Sequence, residues 1–289
     1  MDVVTVGDVM VDVSVETAAL AEGGDVHGRV LVRPGGSAAT AAVWAAAAGA
    51  RVRLHGRVGN DLTGRLMRES IAEWGVETVL AVDPGASTGT MLVIHEAGER
   101  SMVADRGANA RLSPDDLPAV IEAGAVLVSG YVVLDEGSLP AARAALERAR
   151  AQYVAVDAAS WPLLKDFGTQ RFFEATDAAT VLLANEREAE VLCGHRGEDA
   201  AEALAQRYPV VCVKLGERGA AMSWQGLLIR YDAEPVKEVD PTGAGDAFDG
   251  VLLARLAAGA SAGDALRAAC AAGARVAASA KLWPGRQAG

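Results

Sequence analysis

The chain has 289 residues, 51% of them hydrophobic and 22% charged, with a net charge of −11. That is the make-up of a soluble globular protein built around one large domain. Such acidity argues against nucleic acid as a partner, because a phosphate backbone needs clustered Lys and Arg, but backbone amides and a metal ion can still hold a nucleotide. Cys193, Cys212 and Cys270 form no C-x-x-C pair and read as reduced thiols. The N-terminus lacks a basic n-region, and the longest helix-like apolar run, Ala38 to Ala48, is too short to span a bilayer. A cytoplasmic protein with no membrane partner is expected. Aromatic residues are scarce and Ala and Gly abundant, so the core should consist of small side chains and closely packed helices.

In chain order, Val3-Val4-Thr5-Val6-Gly7 reads as a short buried strand closed by Gly. Further strands are expected at Val52 to Val58, Ala125 to Ser129, Tyr153 to Asp157, Thr180 to Ala184, Val210 to Leu215, Ala220 to Trp224 and Leu227 to Tyr231. Helical patterns lie between them at Ala38 to Ala48, Leu62 to Trp74, Leu139 to Arg150, Glu186 to Cys193 and Asp199 to Tyr208. Asp61 is placed to cap the second of these, Met67, Ile71 and Trp74 share one of its faces, and Gly75 stops it. The alternation predicts an α/β fold with a mainly parallel sheet covered on both faces, binding ligands at the carboxyl ends of its strands. Two stretches break the pattern. Val11 to Val32, with Gly23, Gly24 and Gly28 as turn signals, and Thr88 to Ala104, with an Ala97-Gly98 turn, alternate with a period of two. Both read as hairpin pieces that can pair into one small sheet over the strand ends.

The stretch most suggestive of chemistry is Val239-Asp240-Pro241-Thr242-Gly243-Ala244-Gly245-Asp246-Ala247-Phe248-Asp249-Gly250. Phe248, Val251, Leu252 and Leu256 fall on one face of a helical period, so Gly243 and Gly245 sit where the first amides of a helix lack internal partners. Small residues there let the N–H groups close around an anion, aided by the helix dipole. Asp246 in the same turn has two readings. It is either a charge complementing a helix start, or a general base for a hydroxyl attacking a phosphoryl group held by the neighbouring amides.

The whole run resembles the C-terminal signature of the ribokinase-like, or PfkB, family of carbohydrate kinases, written D-T-x-G-A-G-D-x-F. Pro34-Gly35-Gly36-Ser37-Ala38-Ala39-Thr40 resembles the family's N-terminal Gly-Gly signature, and Gly56 to Gly64 its G-x-V-G-x-D-x-x-G continuation. Gly98-Glu99-Arg100 and Gly107-Ala108-Asn109 sit where the family carries G-E-R and P-G-A-N. The resemblance runs nearly end to end. It implies a three-layer ribokinase-like fold, one kinase domain over residues 1–289, and a lid formed by about residues 12–33 and 86–105.

The resemblance also implies roles. Gly243, Ala244, Gly245 and Asp246 would form the anion hole and base. Asp12, Gly35, Gly36 and Thr40 would meet the acceptor, Asp12 by accepting from two hydroxyls. Asn185, Lys214, Gly216, Gly219, Gly273 and Ser279 would border the nucleotide. Glu188 would organise Mg²⁺ through water, and Asp240 matches a monovalent-cation position, such as one for K⁺, in some members. ATP and Mg²⁺ are the implied cofactors, and a homodimer through the lid the implied assembly. Departures at Ser37, Thr40 and Asp157-Ala158-Ala159 leave the acceptor's identity open; Arg106 could meet an acidic substrate such as a keto-deoxy sugar acid, but a loop Arg facing water is the preferred expectation.

Other folds are excluded by missing motifs. The chain has no G-x-x-x-x-G-K-[ST] of a P-loop, no G-x-S-x-G elbow and no G-x-G-x-x-G after the first strand. A nucleoside kinase of the same fold and a non-catalytic sugar- or nucleotide-binding regulator are the alternatives.

Overall fold

All four residues of Val3–Val6 are buried, because this strand lies inside a sheet covered on both faces. The computed structural model describes residues 1–20, 22–96, 99–279 and 281–285, so the expected Ala97-Gly98 turn lies outside the described residues. The sheet has nine strands, in the order Leu227–Tyr231, Ala220–Trp224, Val210–Lys214, Val181–Asn185, Tyr153–Asp157, Ala125–Val128, Val3–Val6, Val52–Gly59 and Glu77–Asp83. Ala220–Trp224 pairs antiparallel with both of its neighbours, and every other pairing is parallel. The sequence-based strands therefore hold to within a residue or two. Glu77–Asp83 was not expected, because it exposes Val79 and Val82 while burying Leu80 and Asp83, a pattern with no clean alternation.

The two irregular stretches do form one four-stranded sheet, ordered Arg29–Gly35, Met10–Thr17, Gly89–Glu96, Glu99–Asp105. Its two inner strands run parallel and its outer pairs antiparallel. Register assigns its faces, since directly paired residues point the same way. Arg33, Asp12, Met91 and Ala104 form one cross-strand row, and Val32, Val13, Leu92 and Val103 the next, on the opposite face.

Asp61 anchors this sheet to the body. It caps the helix Leu62–Ala72 by accepting from Gly64 N–H at 2.7 Å, as expected. It also accepts from the Thr88 amide at 2.7 Å and the Thr88 hydroxyl at 2.6 Å, at the entry to Gly89–Glu96. Burial opposes the charge, but these bonds outweigh it and bring Asp61 down to about 2. At the other end Asn109 bonds both Val9 N–H and Val9 C=O, at 2.9 and 3.1 Å.

The helix Ala244–Ala257 was expected to show one apolar face, but it is buried nearly all round. It is sandwiched against the sheet, the Ala-rich helix Ser37–Ala47 and the helix Ala262–Ala277. The contact with Ser37–Ala47 needs Gly250, where a Cβ would lie 2.1 Å from Ala41 O. Gly250→Ala should therefore cost about 1–3 kcal/mol of stability, read from urea unfolding midpoints, as an overpacked site does; an unchanged midpoint would refute the close approach.

Candidate functional site

The 240–246 turn is shaped by its own polar groups. Asp240 Oδ1 accepts from Thr242 N–H at 3.0 Å, and Ala244 N–H donates to Pro241 O at 3.0 Å. Gly243 then adopts φ +79°, a left-handed conformation suited to Gly, and precedes the first residue of the helix Ala244–Ala257. The N–H groups of Gly243, Gly245 and Asp246 have no partner among the described residues. Of the four amides expected to form an anion hole, that of Ala244 closes the turn and three are left open.

A second helix start meets the first. Gly36, at φ +92°, precedes Ser37–Ala47, and a Cβ there would lie 2.4 Å from Asp8 O. Ser37 Oγ donates to Asp246 Oδ1 at 2.7 Å, joining residues 209 positions apart. Burial at the cleft floor pushes the Asp246 carboxyl up to about 7. The Ser37 bond and the Lys214 ammonium pull it down, while the charges of Asp157 and Asp12 raise it further.

These groups open into a cleft of about 630 Å³ between the strand ends and the small sheet. Asp12 lines it, buried, and its carboxyl is pushed up to about 6 by burial, with Arg33 opposing and Asp240 adding to the rise. Gly35 lies outside the lining but is shaped by it, since a Cβ there would come within 2.6 Å of the Asp12 carboxyl. Thr40 lines the cleft, yet its hydroxyl accepts from Trp283 Nε1 at 3.3 Å. Met10, Met91, Met102 and Ala104 make the small sheet's share of the wall apolar.

Arg106 does not face water. It lines the cleft with its guanidinium largely buried, bonded to both Asp8 oxygens at 2.6 and 3.1 Å and to Asp135 at 2.9 Å. Sequence reading missed Asp8, which looks like an ordinary residue after a strand. It also missed Tyr131, on the short helix Gly130–Val133, whose phenol is pushed well up by burial and by surrounding carboxylates.

Asn185 caps the helix Glu186–Cys193 and forms a capping box with Glu188, which accepts from the Asn185 amide nitrogen at 2.8 Å. Burial, reinforced by Asp157, pushes Glu188 upward to about 8. Lys214 was expected at the nucleotide border. It lines the cleft but turns inward, bonding Asp157 Oδ2 at 2.9 Å and Asp249 at 2.9 and 3.1 Å. Gly216, Gly219 and Gly273 also line the cleft. Gly219 is required by the hairpin as well, since a Cβ would lie 1.9 Å from Tyr231 O, and a Cβ on Gly273 would come within 3.2 Å of Ala244 O. Ser279 does not reach the lining. Its hydroxyl turns back to Val276 O at 3.4 Å, and Ala274 and Ala277 stand in the cleft instead. Among the described residues no cluster of three or more His, Cys, Asp or Glu fits a metal ion. A Mg²⁺ here suits the site only as an ion carried mainly by phosphates and water, beside lining carboxylates such as Glu188.

A model of the pfkB family carbohydrate kinases matches residues 1–282. The chain belongs to the PfkB family. It is 31% identical to ribokinase from Mus musculus over 271 residues, covering 88% of this chain and 81% of that one. Adenosine kinase from Sinorhizobium meliloti superimposes with a TM-score of 0.88 at 25% identity, covering 98% and 95% of the two chains. Fructokinase from Vibrio cholerae O395, solved with fructose, ADP and calcium, gives a TM-score of 0.81 at 27% identity, covering 98% and 94%. This PfkB chain is accordingly a carbohydrate kinase with a ribokinase-like fold, and its relatives are sugar and nucleoside kinases. Among the described residues no helix is long and apolar enough to cross a membrane.

The raised Asp246 has a consequence for stability. The folded chain keeps this proton up to about pH 7, whereas the unfolded chain loses it in the ordinary carboxylate range near 3.8. Between those values the folded state binds more protons, so stability falls as pH rises. Asp246→Asn removes the buried charge and should gain at least about 1 kcal/mol relative to the parent between pH 4 and pH 8. Urea unfolding at both pH values checks this, and a constant difference would refute it.

Proposed function

We propose that this kinase moves the γ-phosphoryl group of MgATP to a hydroxyl of a sugar or sugar-like acceptor, with Asp246 as general base. The observation that carries the reading is the placement of Asp246 beside three open helix-start amides, in one cleft with Asp12 and the Gly36 turn. The amides of Gly243, Gly245 and Asp246 hold the γ-phosphate, and Asp12 accepts from acceptor hydroxyls. The acceptor oxygen bonds to the γ-phosphorus as the bond to the ADP oxygen breaks, and the hydroxyl proton passes to the Asp246 carboxylate. Bound Mg²⁺ would neutralise phosphate charge, and Glu188 is placed to orient its water shell. On the same reading Asn185, Gly216, Gly219 and Gly273 border the nucleotide, and Asp240 is the place for a monovalent cation. The small sheet acts as a lid over about residues 12–33 and 86–105, excluding water that would otherwise take the phosphoryl group. The supply of ATP and the free thiols of all three cysteines go with a cytoplasmic setting.

One observation favours a second reading. Met10, Met91 and Met102 stand on the cleft face of the lid next to Asp12, and thioethers suit a flat aromatic group. A nucleoside, with its hydroxyls on Asp12 and its base on this wall, would use both halves of that face.

The lid's outer face supports a homodimer. Val30, Val32 and Val103 are 59%, 60% and 60% exposed, in cross-strand rows with Val13, Val15, Leu92 and Ile94. A second copy packed by a two-fold axis would cover this apolar surface and the sheet's edges. Val32→Glu should then halve the mass seen by light scattering at micromolar concentration; a parent chain that is already monomeric would remove the proposal.

Activity tests the main reading. Asp246→Asn should lower ADP release by about two to four orders of magnitude with little change in the KM for ATP. Asp12→Ala should raise the acceptor KM far more than that for ATP. Turnover should rise with pH through about 7 as Asp246 ionises. A screen of sugars, sugar acids, sugar phosphates and nucleosides chooses the acceptor class. Unchanged turnover in Asp246→Asn would exclude Asp246 as base.

A further inference from the structure

Beneath the anion turn, three charged side chains from three elements converge. Asp157 ends the strand Tyr153–Asp157, Lys214 ends Val210–Lys214, and Asp249 lies in the second turn of Ala244–Ala257. Lys214 Nζ is bonded to Asp157 Oδ2 at 2.9 Å and to the two Asp249 oxygens at 3.1 and 2.9 Å. The other Asp157 oxygen accepts from Ala159 N–H at 2.8 Å, bracing a residue held at φ +62°. All three side chains are nearly lost to solvent.

The cluster touches the anion turn directly. A Cβ on Gly245 would lie 3.4 Å from Lys214 Nζ, so the ammonium packs against the main chain that carries two of the open amides. That is ordinary van der Waals contact, close enough for the ammonium's charge to act on the turn. A cation this close to a phosphate loop would ordinarily bind the ligand itself, but here its bonds are committed to two carboxylates.

We propose that Lys214, Asp157 and Asp249 act as a buried positioning cluster, fixing the anion turn and setting the charge environment in which Asp246 works as base. The inference rests on the kinase reading above and assigns the cluster no contact with the acceptor. The groups facing Asp246 are Ser37 from the Ala-rich helix, Asp12 from the small sheet, and Asp157 and Lys214 from the strand ends, with Tyr131 and Glu188 around them. Of these, Lys214 favours the Asp246 carboxylate and Asp157 disfavours it.

The two opposite influences make the test a matter of sign. The pH dependence of kcat/KM for ADP release is measured for the parent, Lys214→Met and Asp157→Asn, with the acceptor that the screen selects. Lys214→Met should move the acid limb up by about one pH unit and Asp157→Asn should move it down, the size expected for loss of a nearby charge. A merely structural role would lower activity at every pH and leave the limb in place, so coincident limbs overturn the proposal. If Lys214→Met does not fold, Lys214→Met/Asp249→Asn removes one charge of each sign; it should fold and still raise the limb, and Asp157→Asn decides the sign alone. Asp246→Asn serves as the control. Its retention of turnover would reject the kinase base, whereas its loss together with unmoved limbs would reject only the cluster's role.

Discussion

The structure depends on two helices starting at the same point. Ser37 opens one and Asp246 lies in the first turn of the other, and a 2.7 Å hydrogen bond holds them together. Two helix N-termini pointing at one place create positive potential there, which is costly unless something negative shares it. Asp246 supplies a carboxyl there, and on the proposed reading a phosphate would supply a transient charge. Such convergence demands close helix packing, and the Ala and Gly content provides it. Gly250 lies against Ala41 and Gly273 against Ala244. The chain's end reinforces the arrangement: Trp44 Nε1 donates to Leu282 O at 2.9 Å, and Leu282 packs where a Gly243 side chain would stand.

The two sheets divide the remaining work. The parallel sheet delivers Asp157, Asn185 and Lys214 at the carboxyl ends of neighbouring strands, Asn185 level with Lys214 and Asp157 level with Leu183 two residues earlier. The small sheet delivers Asp12 from the opposite side, and is tied to the body at Asp61–Thr88 and Val9–Asn109. Those ties explain why Gly59, Gly64 and Asn109 read as motif residues although none carries chemistry. A Cβ at Gly64 would lie 2.4 Å from Gly59 O and 2.9 Å from the Thr88 hydroxyl, so the motif records the joint between the body and the small sheet.

Much of this was legible in the sequence because it follows from local rules. Strand periodicity, the Asp61 and Asn185 caps and the paired glycines before helices each depend on a few neighbouring residues. What escaped depends on partners distant in the chain. Arg106 looked like a solvent-facing loop residue until Asp8 and Asp135, far away in sequence, were brought against it. Lys214 matched a nucleotide-border pattern, yet Asp157 and Asp249 claim its ammonium. Ser279 matched a pocket position, but the helix ends just before it and its hydroxyl turns back on that end. The Ser37–Asp246 bond had no local signal, since neither residue's neighbours predict the other.

On the proposed reading, charge balance explains why main-chain amides, rather than a basic side chain, would face the phosphate. A free ammonium at the turn would attract phosphate strongly, but it would also hold Asp246 as a weakly basic carboxylate. Dipoles from N–H groups offer attraction that falls off faster with distance than a full charge. On the proposed reading Asp246, pushed up to about 7, can then both accept and release a proton at working pH. The chain does place a lysine beside the turn, but pairs it with two carboxylates, and it places an arginine in the cleft wall, likewise paired. Both cations therefore stiffen the walls without dominating the field at the reacting atoms. On this view the acidity of the cleft is a condition for keeping a carboxylate basic, and phosphate repulsion is left for the amides and an incoming metal ion to overcome.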